Sequence, residues 1–236
     1  RDLLRWEHLP LALAERAGEM VFSGSAVVDH ANTSGLGHAG RPPLIAIYTG
    51  HTEREQTQNL AWSTDRGRTW TRHAGNPVLA IGSRQHRDPK VFWFEPTRRW
   101  VMVTVLADEH RVRFDTSPDL SSWTRTSEFG PAGATDGAWE CPDLFPLPVD
   151  GEPGTVRWVL KVDVQRGIGA QYFVGEFDGE RFLPDASSDR VLRVDHGADF
   201  YAAQSWSDAP DGRRLWLAWM SHWDYASSTP TSPWRG

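Results

Sequence analysis

Short β-type runs recur at nearly constant intervals along this sequence of 236 residues. Four of them are rich in aromatic and branched aliphatic residues, and their first residues lie 56, 58 and 58 positions apart. The runs occupy residues 44–48, 100–104, 158–162 and 216–220. A period of this length, without any long helical pattern, is typical of a fold built from repeated sheets.

Each period contains signals for further strands. A second strand candidate precedes each run, at residues 22–28, 87–93, 140–145 and 199–203. A third is clearest at residues 171–177, where Asp178-Gly179 follows as a hairpin signal. An aromatic residue at a turn then comes 23 to 26 residues after the start of each of the first three runs, namely Trp70, Trp123 and Phe182. Each period therefore predicts a four-stranded antiparallel sheet.

Sheets repeated at this spacing predict an all-β fold of the β-propeller type, in which the first strand of each blade faces a central axis. The period also predicts a propeller cut at both ends, with four blades largely present and Trp6 at the turn of a preceding, partial blade. We expect residues 1–236 to form one partial propeller domain, without a C-terminal β-sandwich domain. A single β-sandwich made of the same strands is the alternative.

The propeller prediction has a consequence for polar residues at the heads of the first strands. In a propeller these residues converge on one pocket although they are far apart in sequence, whereas in a sandwich they would scatter. The residues concerned are Ser23, Arg87, Asp88, Glu140, Asp199 and Tyr201.

Composition limits the partners of such a pocket. The net charge is −6 and no basic run occurs, which argues against nucleic acid or a membrane surface as a partner. The nine His show no paired ligand spacing, so no metal site is expected. The 13 Trp suit sheet packing or the binding of sugar rings. A neutral small molecule or polymer is the partner that remains.

The segment Trp139-Glu140-Cys141-Pro142-Asp143 carries the candidate chemistry. A glutamate at the start of a buried strand is costly to ionise, so we expect Glu140 to hold a proton near neutrality and to act as a catalytic acid. Taken alone, the segment is more simply explained as a surface turn with a solvated Glu140 beside a buried Cys141, and only the rest of the chain favours the catalytic interpretation. Paired carboxylates in a pocket for a neutral ligand suggest glycoside hydrolysis.

Five motifs occur in order over essentially the whole chain. They are Phe22-Ser23-Gly24-Ser25-Ala26, Arg87-Asp88-Pro89-Lys90-Val91, Glu140-Cys141-Pro142-Asp143-Leu144, Asp199-Phe200-Tyr201-Ala202, and Trp219-Met220-Ser221 with Pro233-Trp234-Arg235-Gly236. Together they resemble glycoside hydrolase family 32, the fructan hydrolases that include levanases, inulinases and invertases. The resemblance implies a five-bladed propeller, a retaining mechanism, a fructan or sucrose substrate, no cofactor and an extracellular location.

The resemblance also implies roles for individual residues. Glu140 matches the family's acid/base, and Asp88 matches the carboxylate that holds fructosyl hydroxyls and stabilises the transition state. Arg87 would orient both acids, and Cys141 would tune Glu140. Phe22 and Ser23 match sugar-contacting positions. Three further aromatic residues are candidates for the pocket rim, with plain packing as an equal alternative: Tyr201, Trp62 and Trp223.

One family motif is missing. The family's nucleophile is an Asp in a Trp-Met-Asn-Asp-Pro-Asn-Gly motif, which does not occur in this sequence, and Asp2 is not assigned that role. We therefore expect the chain by itself to be inactive. Two alternatives stay open, a noncatalytic fructan-binding propeller and a transfructosylase. The Asp-box-like turn around Asp65, which we interpret as structural, also raises a sialidase-like propeller, which predicts an Arg cluster.

Overall fold

The computed structural model describes residues 4–38, 40–186, 190–206, 209 and 212–228. Asp2 and the motif at residues 233–236 lie outside these residues. The described chain is all-β apart from two short 3₁₀ turns, Ala107–Glu109 and Ala226–Ser228. Within it, no helix has the length and apolar character needed to cross a membrane.

Antiparallel sheets follow one another along the chain. The first sheet orders β1 (Met20–Val28), β2 (Leu44–His51), β3 (Gln56–Ser63) and β4 (Thr71–Arg72). The second orders β5 (His86–Phe94), β6 (Arg99–Leu106), β7 (Arg111–Ser117) and β8 (Thr124–Phe129). The third orders β9 (Trp139–Pro148), β10 (Val156–Val164), β11 (Gly169–Phe177) and β12 (Phe182–Pro184), and β13 (Leu192–Arg193) also pairs with β11. The fourth pairs β14 (Tyr201–Ser205) with β15 (Trp216–Trp219).

The predicted four-stranded sheets are thus confirmed for the first three periods. Their last strands begin directly after a turn that polar side chains close. In the first sheet, Asp65 accepts hydrogen bonds from the backbone N–H groups of Arg68 and Thr69, and the indole of Trp70 donates to the carbonyl of Gly67. These bonds lower the pKa of Asp65 below its usual range, so the carboxylate is structural, as expected.

The second sheet repeats this turn at a place where the sequence analysis named only the aromatic residue. Asp119 accepts hydrogen bonds from the backbone N–H groups of Ser121 and Ser122, and the indole of Trp123 donates to the carbonyl of Leu120. In contrast, Trp6 is 66% exposed and residues 4–15 form no strand. The described chain therefore gives Trp6 no position comparable to that of Trp123, which packs against buried residues.

Two apolar clusters fill the spaces between consecutive sheets. One lies between the first and second sheets and includes Ile45, Leu60 and Met102. The other lies between the second and third sheets and includes Phe114 and Trp139. Apolar side chains thus cover both faces of the second sheet, which explains why its strands are apolar at consecutive positions.

The first strands of successive sheets lie side by side without forming a common backbone ladder. Strand β1 contacts β5, β5 contacts β9, and β9 contacts β14. Side chains provide the polar links between them: the hydroxyl of Ser25 in β1 donates to the carbonyl of Pro89 and accepts from the N–H of Val91 in β5. This order of first strands is the one that a propeller requires, and its closure into five blades stays a prediction.

Removing a large side chain from the cluster between the second and third sheets should destabilise the fold. Phe173 is 2% exposed and packs edge-on against Phe129, with the ring centroids 4.8 Å apart. Phe173→Ala should lower the free energy of unfolding by about 3–5 kcal/mol, measured by denaturant titration of tryptophan fluorescence. Leu183→Ala, at a position that is 50% exposed in the same sheet, should change it by less than about 0.5 kcal/mol. Equal effects of the two substitutions would contradict the assignment of the core.

Candidate active site

A β-bulge near the start of each first strand shapes the site. The register of pairing with the second strand shifts between Val21 and Gly24, between Arg87 and Lys90, between Glu140 and Asp143, and between Tyr201 and Gln204. In the last three bulges one residue has a positive φ: Asp88 at 60°, Cys141 at 47° and Ala202 at 54°. A bulge turns the side chains beside it away from the regular alternation of a strand. Arg87, Glu140 and Tyr201 occupy equivalent places, immediately before the positive-φ residue.

These bulges border one cavity of about 600 Å³, which we call the head cavity. It is lined by the predicted residues Phe22, Ser23, Arg87, Asp88, Glu140, Cys141, Tyr201 and Trp223. The convergence that the propeller prediction requires, and that a β-sandwich would not produce, is therefore present for these residues. Arg87 is the one arginine among the described residues of the lining, so the Arg cluster of a sialidase-like site is not found there.

Glu140 is held by a donor at each carboxylate oxygen. Arg87 Nη2 lies 3.0 Å from Oε1, and the hydroxyl of Tyr201 donates to Oε2 at 2.5 Å. The Glu140 side chain is 15% exposed, so it is largely desolvated and still open to the cavity. Its two partners come from the second and fourth sheets, and Glu140 itself comes from the third.

Arg87 connects the two candidate acids. Besides its contact with Glu140, its Nε lies 3.8 Å from Oδ2 of Asp88. Its Nη1 donates to the side-chain carbonyl of Gln85 at 2.5 Å and lies 3.5 Å from that of Gln56. The guanidinium is thus fixed from both sides, and a planar fork of donors suits the bridging of two carboxylates.

Asp88 is buried, and both its carboxyl and its backbone N–H form hydrogen bonds. Its carboxyl contacts the bulge of β9, and its N–H lies in the bulge of β5. Its Oδ2 accepts the backbone N–H of Cys141 at 2.9 Å, and its own N–H donates to the hydroxyl of Thr49 at 3.0 Å. Burial raises the pKa of the Asp88 carboxyl, while the Cys141 N–H and the charge of Arg87 oppose that rise. The Asp88 carboxyl therefore lies in a poorly solvated place with directed donors, which suits the holding of a neutral hydroxylated ligand.

The Cys141 thiol and the Tyr201 phenol, which also belong to the bulges, both keep their protons. Burial, reinforced by Asp88, raises the pKa of the Cys141 thiol well above its usual value. Burial, reinforced by Glu140, also raises the pKa of Tyr201, so its phenol remains a donor. Cys141 is consequently a neutral thiol rather than a nucleophile, and Tyr201 is a neutral hydrogen-bond donor to Glu140.

Two predicted residues are placed elsewhere. Trp62, for which rim and packing were both open, lies outside the cavity lining: it belongs to β3 and packs against the cluster between the first and second sheets. Asp199 was expected in the pocket, but β14 begins only at Tyr201, and Asp199 is exposed outside the cavity lining. Asp199 stands two positions before the start of β14, so the bulge of that strand does not direct its side chain into the cavity.

Several lining residues were missed by the sequence analysis. They are Gln56, Gln85, Asp108, Gln165 and Trp219. Trp219 had been named only as part of a motif and not as a residue of the pocket. The glutamines lie in strand ends and loops, where their type carries no motif. Trp219 and Trp223 pack edge-on with ring centroids 5.2 Å apart, and Trp223 is 54% exposed. The sequence named Trp223 as a rim candidate, and these two indoles do form one wall of the cavity.

A buried polar chain supports Asp88 from behind. The hydroxyl of Thr49, which accepts the N–H of Asp88, donates to the side-chain carbonyl of Gln58 at 3.1 Å. The amide nitrogen of Gln58 lies 3.4 Å from Nδ1 of His86, and His86 Nε2 lies 2.9 Å from the hydroxyl of Thr104. Because an amide N–H faces Nδ1, the imidazole proton belongs on Nε2.

Comparison with known proteins agrees with this geometry. The sequence matches the family described as "Glycosyl hydrolases family 32 N-terminal domain" over residues 1–236. The chain belongs to glycosyl hydrolase family 32. The resemblance inferred from the five motifs is therefore confirmed.

Family 32 relatives of known name include a levanase of Bacillus subtilis, 53% identical over 244 residues, and an extracellular exo-inulinase of Aspergillus niger, 40% identical over 272 residues. The matches cover 100% and 99% of this chain but 36% and 50% of those proteins. This chain thus spans between about a third and a half of the length of these relatives.

A solved structure gives the same result for the fold. The fructofuranosidase of Schwanniomyces occidentalis complexed with fructose superimposes with a TM-score of 0.93 at 39% identity, over 99% of this chain and 47% of that one. Such agreement shows that the sheets of this family 32 chain are arranged as in a fructosidase of the family.

The buried His86 should make stability depend on pH. Burial, with a smaller contribution from Arg113, lowers the pKa of His86 from 6.5 to about 3. Between these values the unfolded chain binds a proton that the folded chain refuses, so the stabilising effect of the neutral ring is present above pH 6.5 and declines as the pH falls. The free energy of unfolding should fall by roughly 1.4 kcal/mol per pH unit below pH 6.5 from this group.

Comparing the protein with its His86→Gln variant between pH 8 and pH 4 measures this contribution. At pH 8 the difference in the free energy of unfolding between the two proteins reflects the hydrogen bonds of the ring. This difference is the baseline for the comparison at lower pH. The variant should lose stability less steeply below pH 6.5. Parallel pH curves for the two proteins would contradict the neutral, buried state of His86.

Proposed function

We propose that this chain is part of a β-fructofuranosidase that cleaves β-fructofuranosyl linkages of fructans or sucrose by a retaining mechanism, within a five-bladed propeller. The observation that carries the proposal is the single Arg87 guanidinium in contact with both Glu140 and Asp88 at the wall of one cavity. Relatives named levanase, exo-inulinase and invertase support the substrate class. The extracellular name of one relative supports a secreted location for this protein.

Glu140 is the proton donor in this proposal. Its carboxyl faces the cavity, and on departure of the leaving sugar it gives its proton to the glycosidic oxygen. Arg87 and Tyr201 keep both of its oxygens in place, so that the proton is delivered from a fixed direction. In the second half of the reaction the same carboxylate takes a proton from the attacking water.

Asp88 holds hydroxyl groups of the fructosyl ring. Its Oδ2 accepts the N–H of Cys141, which fixes the carboxyl plane at the wall of the cavity. Contacts that strengthen as the ring flattens towards an oxocarbenium ion would stabilise the transition state. Phe22, Ser23 and the wall of Trp219 and Trp223 shape the remainder of the pocket.

The nucleophile of the retaining reaction has no counterpart among the assigned residues. The family motif that carries it is missing from the sequence. We therefore propose that residues 1–236 alone bind fructosyl groups without turnover, and that a version extended upstream of Arg1 supplies the covalent step.

Incubation of such an extended version with sucrose, inulin and levan tests the proposal. Released fructose identifies a hydrolase, and the preferred substrate identifies the linkage. Longer oligosaccharides made from sucrose would instead show a transfructosylase. Sugar-dependent changes in tryptophan fluorescence without any product would show a noncatalytic binding propeller and overturn the proposal.

Substitution of the two acids should separate their roles in the extended protein. Glu140→Gln should lower kcat by about 10²- to 10⁴-fold with little change in KM, because it removes the proton and keeps the shape of the pocket. Asp88→Asn should weaken binding as well as turnover. Glu152→Gln, in an exposed turn, is the matched control and should behave like the unmodified protein. Unchanged turnover in Glu140→Gln would remove Glu140 from the mechanism.

A further inference from the structure

A buried ion pair lies directly behind the candidate acid. Lys161 and Asp163, both in β10, are 0% exposed. Asp163 is the register partner of Glu140 on the adjacent strand β9. A buried ion pair is often no more stabilising than apolar side chains of similar volume. The position of this pair behind Glu140 therefore indicates a specific role.

The ammonium of Lys161 joins two first strands that share no backbone ladder. It donates to the carbonyl of Cys141 in β9 at 3.2 Å and to that of Ala203 in β14 at 2.8 Å, and its third contact is Oδ2 of Asp163 at 2.5 Å. The two carbonyls belong to the bulge regions that direct Glu140 and Tyr201 into the head cavity. All three N–H groups of the ammonium are used in this way.

We propose that Lys161 is a positioning residue for the acid step: by joining the bulges of β9 and β14 it fixes Glu140 and Tyr201 relative to each other and to the scissile bond. This inference rests on the proposed function. A displacement of about 1 Å in a reacting group costs up to 10²-fold in rate, so a link of this kind has a measurable effect on turnover.

The surroundings of Asp163 connect the pair electrostatically with the same site. Burial raises the pKa of Asp163 to about 7; Lys161 opposes the rise, and Glu140 and Asp88 add to it. Its second oxygen, Oδ1, is buried and has no hydrogen-bond partner among the residues that the structure describes. The cost of ionising Asp163 is thus set first by burial and further by the carboxylates of the site, which couples the pair electrostatically to Glu140 and Asp88.

A second buried lysine provides the matched comparison. Lys90 lies 3.3 Å from Asp143 and donates to the carbonyl of Ser205 in β14 at 2.6 Å, so it also joins first strands. It lines a different cavity, near the other end of these strands. After loss of Lys90, Asp143 would keep the N–H of Ser205 and the indole N–H of Trp216 as donors.

The test uses the double variant Lys161→Met/Asp163→Leu in the extended protein. Replacing both partners leaves no unpaired buried charge, so the variant should fold, as circular dichroism will show. Two substrates are compared: sucrose, whose leaving oxygen needs a proton, and 4-nitrophenyl β-fructofuranoside, whose weakly basic nitrophenolate leaves without one. A defect in the acid step alone is recovered with the second substrate.

We expect the double variant to lose at least about tenfold in kcat/KM on sucrose and less than about threefold in kcat/KM on the nitrophenyl fructoside, because kcat/KM reports the first half-reaction, in which the leaving group departs. Lys90→Met should lose stability and should show no difference between the two substrates. Equal losses of kcat/KM on the two substrates, or an unchanged kcat/KM on sucrose, would overturn the inference and leave the proposed function intact. Failure of the unmodified extended protein to act on either substrate would overturn both.

Discussion

The bulges in the first strands are the constraint on which the site depends. A regular strand would alternate its side chains between two faces, and the residues at its head would point into the sheet-to-sheet packing as often as into a cavity. Three bulges with a positive-φ residue place Arg87, Glu140 and Tyr201 at equivalent positions. Because the three strands belong to successive sheets, these side chains meet in one line of hydrogen bonds, Arg87 to Glu140 and Tyr201 to Glu140.

Polar links between the first strands take the place of a backbone ladder. Ser25 joins β1 to β5, Asp88 accepts an N–H of β9, and Lys161 joins β9 to β14. Asp88 and Lys161 are buried and Ser25 is half-buried, their desolvation is offset by directed hydrogen bonds, and each link lies within or beside a bulge. The polar connections between sheets are thus made through groups in or beside the site.

The sequence predicted the sheets well, because runs of apolar β-type residues bounded by turn residues recur at a constant period. It also predicted that Asp88 and Glu140 share a cavity, because their motifs stand at the heads of equivalent strands. It left Trp62 open between the rim and the packing of the sheets, since an aromatic residue in a strand suits both. It misplaced Asp199, since the start of a strand is not defined by composition. Lys161 passed unnoticed within an apolar run, because a lone charge in a strand normally faces solvent, and only the three-dimensional arrangement shows that both faces are covered.

A crystal structure of the extended protein with fructose bound tests the central claim most directly. The account predicts one fructosyl ring in the head cavity, with its anomeric oxygen within about 3 Å of a Glu140 carboxylate oxygen and a ring hydroxyl bonded to Asp88. Fructose bound elsewhere, or Glu140 and Asp88 on different sides of an empty head cavity, would contradict it.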